Sequence, residues 1–344
     1  MKGWVVEIMI NKESKLVDNL LDRSKLEMAA TREGYGKGLV QVGEKDERVV
    51  VLCADLTEST NSHWFAEKFP ERFIELGVAE QNMALEASGM ANYGKIPFMS
   101  SYATFSPGRN NEQIRTNICI NNVPVKIAGS HAGISVGPDG ATHQALEDIA
   151  LMRVIPKMVV VVPCDAVEAQ KATFAVAFNG QPTYIRLGRA KSPVFTTKDT
   201  PFEIGKAEIL RDPSTSSGRS PDVAIVGCGM LLYNVLVAAE ELSEESIECM
   251  VINSHTVKPL DEKTIIEVAQ KTGAIVSVEE HQVNGGLGSV IAEVLSRNYS
   301  VPQEYIGVHD RFGESGTPDE LIEAFGMGVG SIKEAVKKVI ARKK

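Results

Sequence analysis

Hydrophobic and polar positions along this chain fall into blocks rather than single alternations. Residues 49–52, 123–128 and 159–162 are short stretches dominated by apolar side chains on both faces, the pattern of strands buried inside a parallel sheet. After the last of them, Pro163-Cys164-Asp165-Ala166-Val167-Glu168 opens a helix, with Asp165 as cap and Glu168 as the returning acid of a capping box. Residues 26–42 carry a helical stripe (Leu26, Ala29, Ala30, Leu39, Val40) interrupted by Gly34, Gly36 and Gly38, which weaken a helix. Strand, loop and capped helix in succession predict a parallel α/β sheet.

The rhythm then breaks. Arg211 to Pro221 is polar, rich in Ser, Pro and Gly, and aperiodic, which predicts a surface loop or linker. Beyond it a second α/β unit is expected, with strands at 223–226, 249–252, 274–278 and 305–308. Thr317-Pro318-Asp319-Glu320 and Ser331 to Glu334 read as two further capped helix starts. The predicted fold class is therefore α/β, with two parallel-sheet domains. The expected division is an N-terminal extension (1–24), a first domain (25–195), a linker (196–221) and a second domain (222–344). The apolar run Trp4 to Ile10 is too short for a membrane span and lacks signal-peptide form. A strand, a tail, or sequence upstream of a start at Met9 or Met28 all remain open for it.

At 344 residues the chain is long enough for two cores. Its net charge of −9, with basic residues clustered only at Arg342-Lys343-Lys344, argues against nucleic acid as a partner. Its five cysteines are widely spaced without a CxxC pair, so neither a zinc site nor a disulfide framework is expected, and a cytoplasmic location fits.

Chemistry concentrates in two stretches. Leu76-Gly77-Val78-Ala79-Glu80-Gln81-Asn82-Met83 puts a carboxylate at the start of an apolar-patterned helix, where the dipole alone would favour an acid. His131 to His143 is a loop punctuated by Gly133, Gly137 and Gly140, with a Pro138-Asp139-Gly140 turn. It carries His131, Asp139 and His143 beyond a strand end, where open α/β sheets bind ligands. Such groups suit hydroxyl recognition and proton transfer near neutral pH, although a well-bonded structural turn would share the pattern. Gly227-Cys228-Gly229 lacks the third glycine of a dinucleotide fingerprint. His281 is expected to brace a domain interface, and His63, His255 and His309 to be structural or solvent-facing.

Ala54-Asp55-Leu56-Thr57, Gly77 to Met83, Tyr102-Ala103-Thr104-Phe105, Gly137 to Gln144 and Gly313-Glu314-Ser315-Gly316-Thr317-Pro318 together resemble the pyrimidine-binding and C-terminal parts of transketolase. The resemblance implies thiamine diphosphate as cofactor, with Glu80 against N1′ of its aminopyrimidine, Phe105 stacked on that ring, and Asp55 and Leu56 beside the thiazolium. It implies that Arg32, Ser59, His131 and Arg189 grip a sugar phosphate, arginine being suited to forked contacts with phosphate, with Arg186 as an alternative to Arg189. Asp139 and His143 would meet donor hydroxyls, His143 also accepting a proton.

The chain contains no Gly-Asp-Gly, the family's metal-holding motif. The resemblance is thus to the C-terminal subunit of a split transketolase. An N-terminal partner subunit would supply the diphosphate and Mg2+ ligands, and this chain no metal ligand, in an assembly of two copies of each. The implied reaction is two-carbon ketol transfer from xylulose 5-phosphate to ribose 5-phosphate, within pentose phosphate metabolism. Deoxyxylulose-phosphate synthase, the beta subunit of a 2-oxoacid dehydrogenase and a non-catalytic scaffold subunit are the alternatives. After Phe105 the aromatics common in the family give way to Ser106-Pro107-Gly108-Arg109-Asn110-Asn111. Arg109 there is expected to bind substrate or to pair with Glu112.

Overall fold

The chain folds around two sheets in a computed structural model that describes residues 10–216 and 218–343; most of the Trp4 to Ile10 run lies outside the described residues. Among those residues the first sheet has seven strands, in the order Thr256–Lys258, Val159–Val161, Thr183–Arg186, Lys126–Ser130, Ile96–Tyr102, Val49–Cys53 and Phe73–Glu75. All pairings are parallel except that of Thr256–Lys258. The second sheet has five: Gln303–Val308, Ile275–Gln282, Val223–Gly227, Cys249–Asn253 and Glu208–Arg211, the last antiparallel. Every residue of Val49–Cys53, Val159–Val161, Val223–Gly227 and Cys249–Asn253 is buried. That is why their sequences show no alternation.

The boundary differs from the expected simple linker. Glu208–Arg211 is a strand on the edge of the second sheet, and Pro213–Ser216 forms a helical turn. Arg211 is not at the surface: it is 1 % exposed, bonded to the Cys249 carbonyl and paired with Glu248. In return, Thr256–Lys258 leaves the second unit to extend the first sheet, so each half of the chain borders the other. Residues 10–20 lie along this boundary through Asn11 N to Leu210 O and Val17 N to Phe195 O.

Helix starts follow the sequence only in part. Met28–Ala29 pairs with Ser192–Pro193 as a short strand, so the first helix is Thr31–Lys45 rather than 26–42. Its glycines are contact points: a Cβ at Gly34 would lie 1.9 Å from the Ala166 carbonyl oxygen, which close approach of the two helices forbids. Asp165 caps Ala166–Ala177 as expected. Glu168, however, returns its bond to Cys164 N and accepts a second from Asn253 Nδ2. Thr317 and Glu320 form the expected box. Ser331 instead falls inside Val329–Ile340, capped at Gly328.

His281 is fully buried between the sheets, its Nε2 accepting from Ala150 N at 3.4 Å and its Nδ1 bonded to Gln282 O. His309 is exposed and His63 half-buried. His255 is buried and stacked on Phe202, and burial pushes its pKa down to about 4. A depressed histidine pKa gives stability that is present above its ordinary value of 6.5 and lost as pH falls toward 4. Glu168 and Glu279, pushed up to about 7 by burial, act oppositely: their share is present below 4.5 and lost as pH rises through 7. His255→Gln should therefore lose about 1–2 kcal/mol less than the parent between pH 7 and 5. Urea titrations at the two pH values check this, and equal slopes would remove His255 from the account.

Candidate functional site

The parallel strands of the first sheet deliver their loops to one edge, beyond their carboxyl ends, where ligands bind in this architecture. Glu80 is the first residue of the helix Glu80–Asn92 and only 3 % exposed. Its Oε1 accepts from Arg109 Nη1 at 3.0 Å, and the same guanidinium lies over the Phe105 ring, 4.1 Å from its centroid. This corrects the expected pairing of Arg109 with Glu112, whose carboxylate instead takes bonds from Gln113 and Thr116. The segment replacing the family's aromatics wraps the first turn of the Glu80 helix. Asn110 Nδ2 donates to Glu80 O and Ser106 Oγ, and Arg109 O accepts from Gln81 Nε2.

From Phe105 a line of rings crosses the site. Tyr102 stacks at 5.8 Å on Phe105 and at 3.8 Å on His131; His143 meets Phe105 edge-on at 5.6 Å. His131 has a left-handed φ of +54°, a conformation that side chains adopt at a cost and that collects at functional sites. Burial first, and then the charges of Arg32 and Arg189, push its pKa down to about 3. It is a neutral imidazole at physiological pH, bonded through Nδ1 to Ser130 Oγ, so any grip it has on an anion is by hydrogen bond. Arg32 donates to Ser59 O at 2.6 Å and Arg189 to Val136 O at 2.7 Å. Burial, with Arg189 adding to it, lowers the Arg32 pKa. Two guanidiniums converging on a neutral histidine suit a doubly charged or forked anion.

The structure thus links Glu80, Phe105, His131 and His143 with Arg32, Ser59 and Arg189 in one cluster. Arg186 does not belong to it. That residue is 6 % exposed and paired with Asp148, and it also donates to Ala145 O and Glu280 O. Asp55, Leu56 and Asp139 lie on flanking loops, Asp55 and Asp139 exposed and Leu56 half-buried. Among the described residues no side-chain hydrogen bond ties Asp55 or Asp139 to the cluster. His143 Nδ1 bonds to Thr142 Oγ1, which leaves Nε2 as the nitrogen for proton exchange.

The sequence reading missed Glu75. Its Oε1 accepts from Asp55 N at 2.7 Å and Gly77 N at 2.9 Å, and its Oε2 from Thr57 Oγ1 at 2.7 Å. One carboxylate therefore fixes both the Asp55 turn, with its φ of +59°, and the turn leading to Glu80. Glu75→Ala is expected to cost about 1–2 kcal/mol, as hydrogen bonds to a charged group do, and Glu75→Gln less, in urea unfolding. Equal stability of Glu75→Ala and the parent would contradict the role.

The buried Glu80 carboxylate and the Phe105 ring fit an aminopyrimidine once the Arg109 guanidinium, which now bonds the one and covers the other, swings aside, and that side chain is 48% exposed. Asn110 Oδ1 and Arg32 Nε are shielded from water without a protein partner. Among the described residues no group of three or more His, Cys, Asp or Glu could hold a metal ion, and no helix is long and apolar enough to cross a membrane.

Comparison with known proteins gives two family matches: transketolase, pyrimidine binding domain, over residues 27–194, and transketolase, C-terminal domain, over residues 214–332. A Methanocaldococcus jannaschii protein provisionally named transketolase C-terminal section is 41% identical over 308 residues, 89% of this chain and 94% of the relative. A Clostridium sp. (strain MSTE9) protein, the 6-deoxy-6-sulfo-D-fructose transketolase subunit SqwH, is 39% identical over 93% of this chain and 97% of its own length. A solved split-gene transketolase, an inactive beta4 tetramer, superposes with a TM-score of 0.84 at 44% identity, covering 92% of this chain and 99% of that one.

Proposed function

This chain belongs to the transketolase family, and from that membership we propose that it is the C-terminal subunit of a split, thiamine diphosphate-dependent transketolase. The pyrimidine-binding domain, near residues 25–195, would supply the site described above, and residues 222–344 the C-terminal domain. The observation that carries the reading is the buried Glu80 carboxylate joined through Arg109 to Phe105, with Tyr102 stacked between Phe105 and the His131 of the Arg32, His131 and Arg189 group. When bound, the cofactor supplies the carbon nucleophile for the ketose carbonyl. Glu80 would hold the proton shared with N1′ of the aminopyrimidine, and Phe105 would orient the ring. Asp55 and Leu56 would border the thiazolium. Asp139 and His143 would bind the donor's hydroxyls, His143 Nε2 taking the hydroxyl proton as the C2–C3 bond breaks. Arg32, Ser59, His131 and Arg189 would hold the terminal anion.

An N-terminal subunit would bring the diphosphate and Mg2+ site. Relatives that match this chain nearly end to end, one of them named a C-terminal section and another a split-gene protein inactive as a tetramer of its own, support a need for that partner. The assembly would be two copies of each chain. Five buried free cysteines are compatible with a reducing cytoplasm.

The donor is proposed to be xylulose 5-phosphate and the acceptor ribose 5-phosphate. The similarity to the sulfofructose transketolase subunit, at 39% identity, favours one second reading, 6-deoxy-6-sulfofructose as donor, because the arginine group would accept a sulfonate as readily as a phosphate. The chain, reconstituted with its partner, thiamine diphosphate and Mg2+, should transfer the ketol unit from one of these donors. A kcat/KM at least tenfold higher for the phosphate supports the first reading, and the reverse ratio supports the second. Carbon dioxide release from pyruvate with glyceraldehyde 3-phosphate, without ketol transfer, would replace both by the deoxyxylulose-phosphate synthase reaction.

A further inference from the structure

The His131–His143 loop belongs to the first domain, yet much of what holds it comes from the second. Gln144, 4 % exposed, points its Nε2 at three carbonyl oxygens: Ile134 at 3.0 Å, Gly137 at 3.4 Å and Glu314 at 2.8 Å. The first two lie within the loop, and the third is on the Gly313 to Thr317 segment of the C-terminal domain. Two more C-terminal residues grip the same loop: Glu280 Oε1 accepts from Ser135 N at 2.6 Å, and Gln282 N donates to Leu146 O at 2.7 Å. Gln282 also fixes the other side of the brace, bonding Arg311 O and Asp310 N. At Gly313 the fit is tight: a Cβ would lie 1.7 Å from Gln144 Oε1 and 3.1 Å from Ile134 Cδ1. The amide can occupy its place between three carbonyls only because residue 313 has no side chain.

We propose that the C-terminal domain sets the geometry of the reacting centre through this contact, with Gln144 as the positioning residue, Gly313 and Glu314 as its seat, and His143 and Asp139 as the groups it aims. The proposal rests on the ketol-transfer reading for the roles of His143 and Asp139. Gln144 shares a peptide bond with His143, so a shift of its backbone carries the His143 Cα and imidazole with it, and a misplacement of about 1 Å can cost about a hundredfold in rate.

The test uses Gly313→Ala, Gln144→Glu, Gln144→Ala and the Gly313→Ala/Gln144→Ala pair, each in the complex with its partner subunit. It measures ketol-transfer kinetics, thiamine diphosphate affinity and hydrogen exchange across residues 133–146. Gly313→Ala should lower kcat about 10–100-fold and speed exchange within 133–146. Thiamine diphosphate affinity should stay within about twofold, because Glu80 and Phe105 sit on other elements. Gln144→Glu, which keeps the shape but loses the donor, should behave alike if Gly313→Ala does not fold. Gly313→Ala should add little once residue 144 is alanine, since the colliding oxygen is gone. A parent-like kcat in Gly313→Ala, or a loss shared equally by cofactor affinity and by exchange throughout the chain, would overturn the proposal. An inactive parent complex would instead defeat the ketol-transfer reading. The exchange pattern would then decide the brace, a parent-like pattern in Gly313→Ala overturning it.

Discussion

Glu80→Ala, in the complex with its partner subunit, is expected to lower ketol transfer by about 10³-fold, within the range that a positioned proton-transfer group contributes. The same change should leave the fold nearly untouched. Glu80 faces Arg109, whose side chain is 48% exposed, so water can take over the guanidinium once the carboxylate is gone, and half-exposed ion pairs contribute about 1 kcal/mol or less. Urea midpoint and cofactor-free assembly should therefore match the parent. Glu80→Gln keeps the shape and the bond to Arg109 is weakened, but the amide cannot share a proton with a ring nitrogen as a carboxyl does, so it should fail nearly as badly. Full turnover by either variant would remove Glu80 from the chemistry and with it the main reason for assigning this pocket.

Asp148→Ala should have the largest effect on stability. Burial alone would push the Asp148 carboxyl up, but the Arg186 guanidinium, aided by the Tyr184 hydroxyl, holds it below the usual range. Arg186 Nε and Nη2 meet the two carboxylate oxygens at 2.7 and 3.1 Å, and Tyr184 donates at 2.6 Å. Removing the acid leaves a cation that is 6 % exposed without its counter-charge, a change that costs about 3–5 kcal/mol. Arg186 also ties the first domain to the second by donating to Glu280 O, so the loss should appear in the first urea transition. An Asp148→Leu/Arg186→Met double variant removes both charges and should recover at least half of the loss, as replacement of buried pairs by apolar groups often does. A double variant whose loss equals the sum of the two single losses would mean no coupling between the charges and would contradict the uncompensated-cation account. Binding of the terminal anion should be unaffected, because Arg186 faces the domain boundary and not the arginine cluster.

The legible parts of the sequence were those with a strong local cause. Val49–Cys53 and Val223–Gly227 could be read because a strand covered on both faces must be apolar throughout, and Asp165 because capping is a local bond. Glu208–Arg211 and Thr256–Lys258 could not. Both are short edge strands whose partners lie in other parts of the chain, and their sequences look like loop. The cluster of Glu80, Phe105, His131 and Arg189 was approached through motif resemblance, and their convergence needed only a parallel sheet. The partner of Arg109 and the choice between Arg186 and Arg189 were beyond the sequence. Each depends on which of several nearby charges the folded backbone faces. Glu75 had a signal, an acid at a strand end two residues before Gly77, but nothing in the pattern distinguished it from an acid bonded only to water, and it is indeed exposed.

The most direct test of the central claim is ketol transfer by the chain alone, the partner alone and the two combined, with thiamine diphosphate and Mg2+ in each mixture. Both proposed donors are offered in turn, xylulose 5-phosphate with ribose 5-phosphate as acceptor, and 6-deoxy-6-sulfofructose with ribose 5-phosphate or glyceraldehyde 3-phosphate. The account predicts two-carbon transfer only in the combined mixture, abolished when Glu80→Ala replaces the parent chain. Transfer by this chain alone would contradict the need for a partner, and a combined mixture that assembles and binds thiamine diphosphate yet transfers nothing from either donor would contradict the function itself.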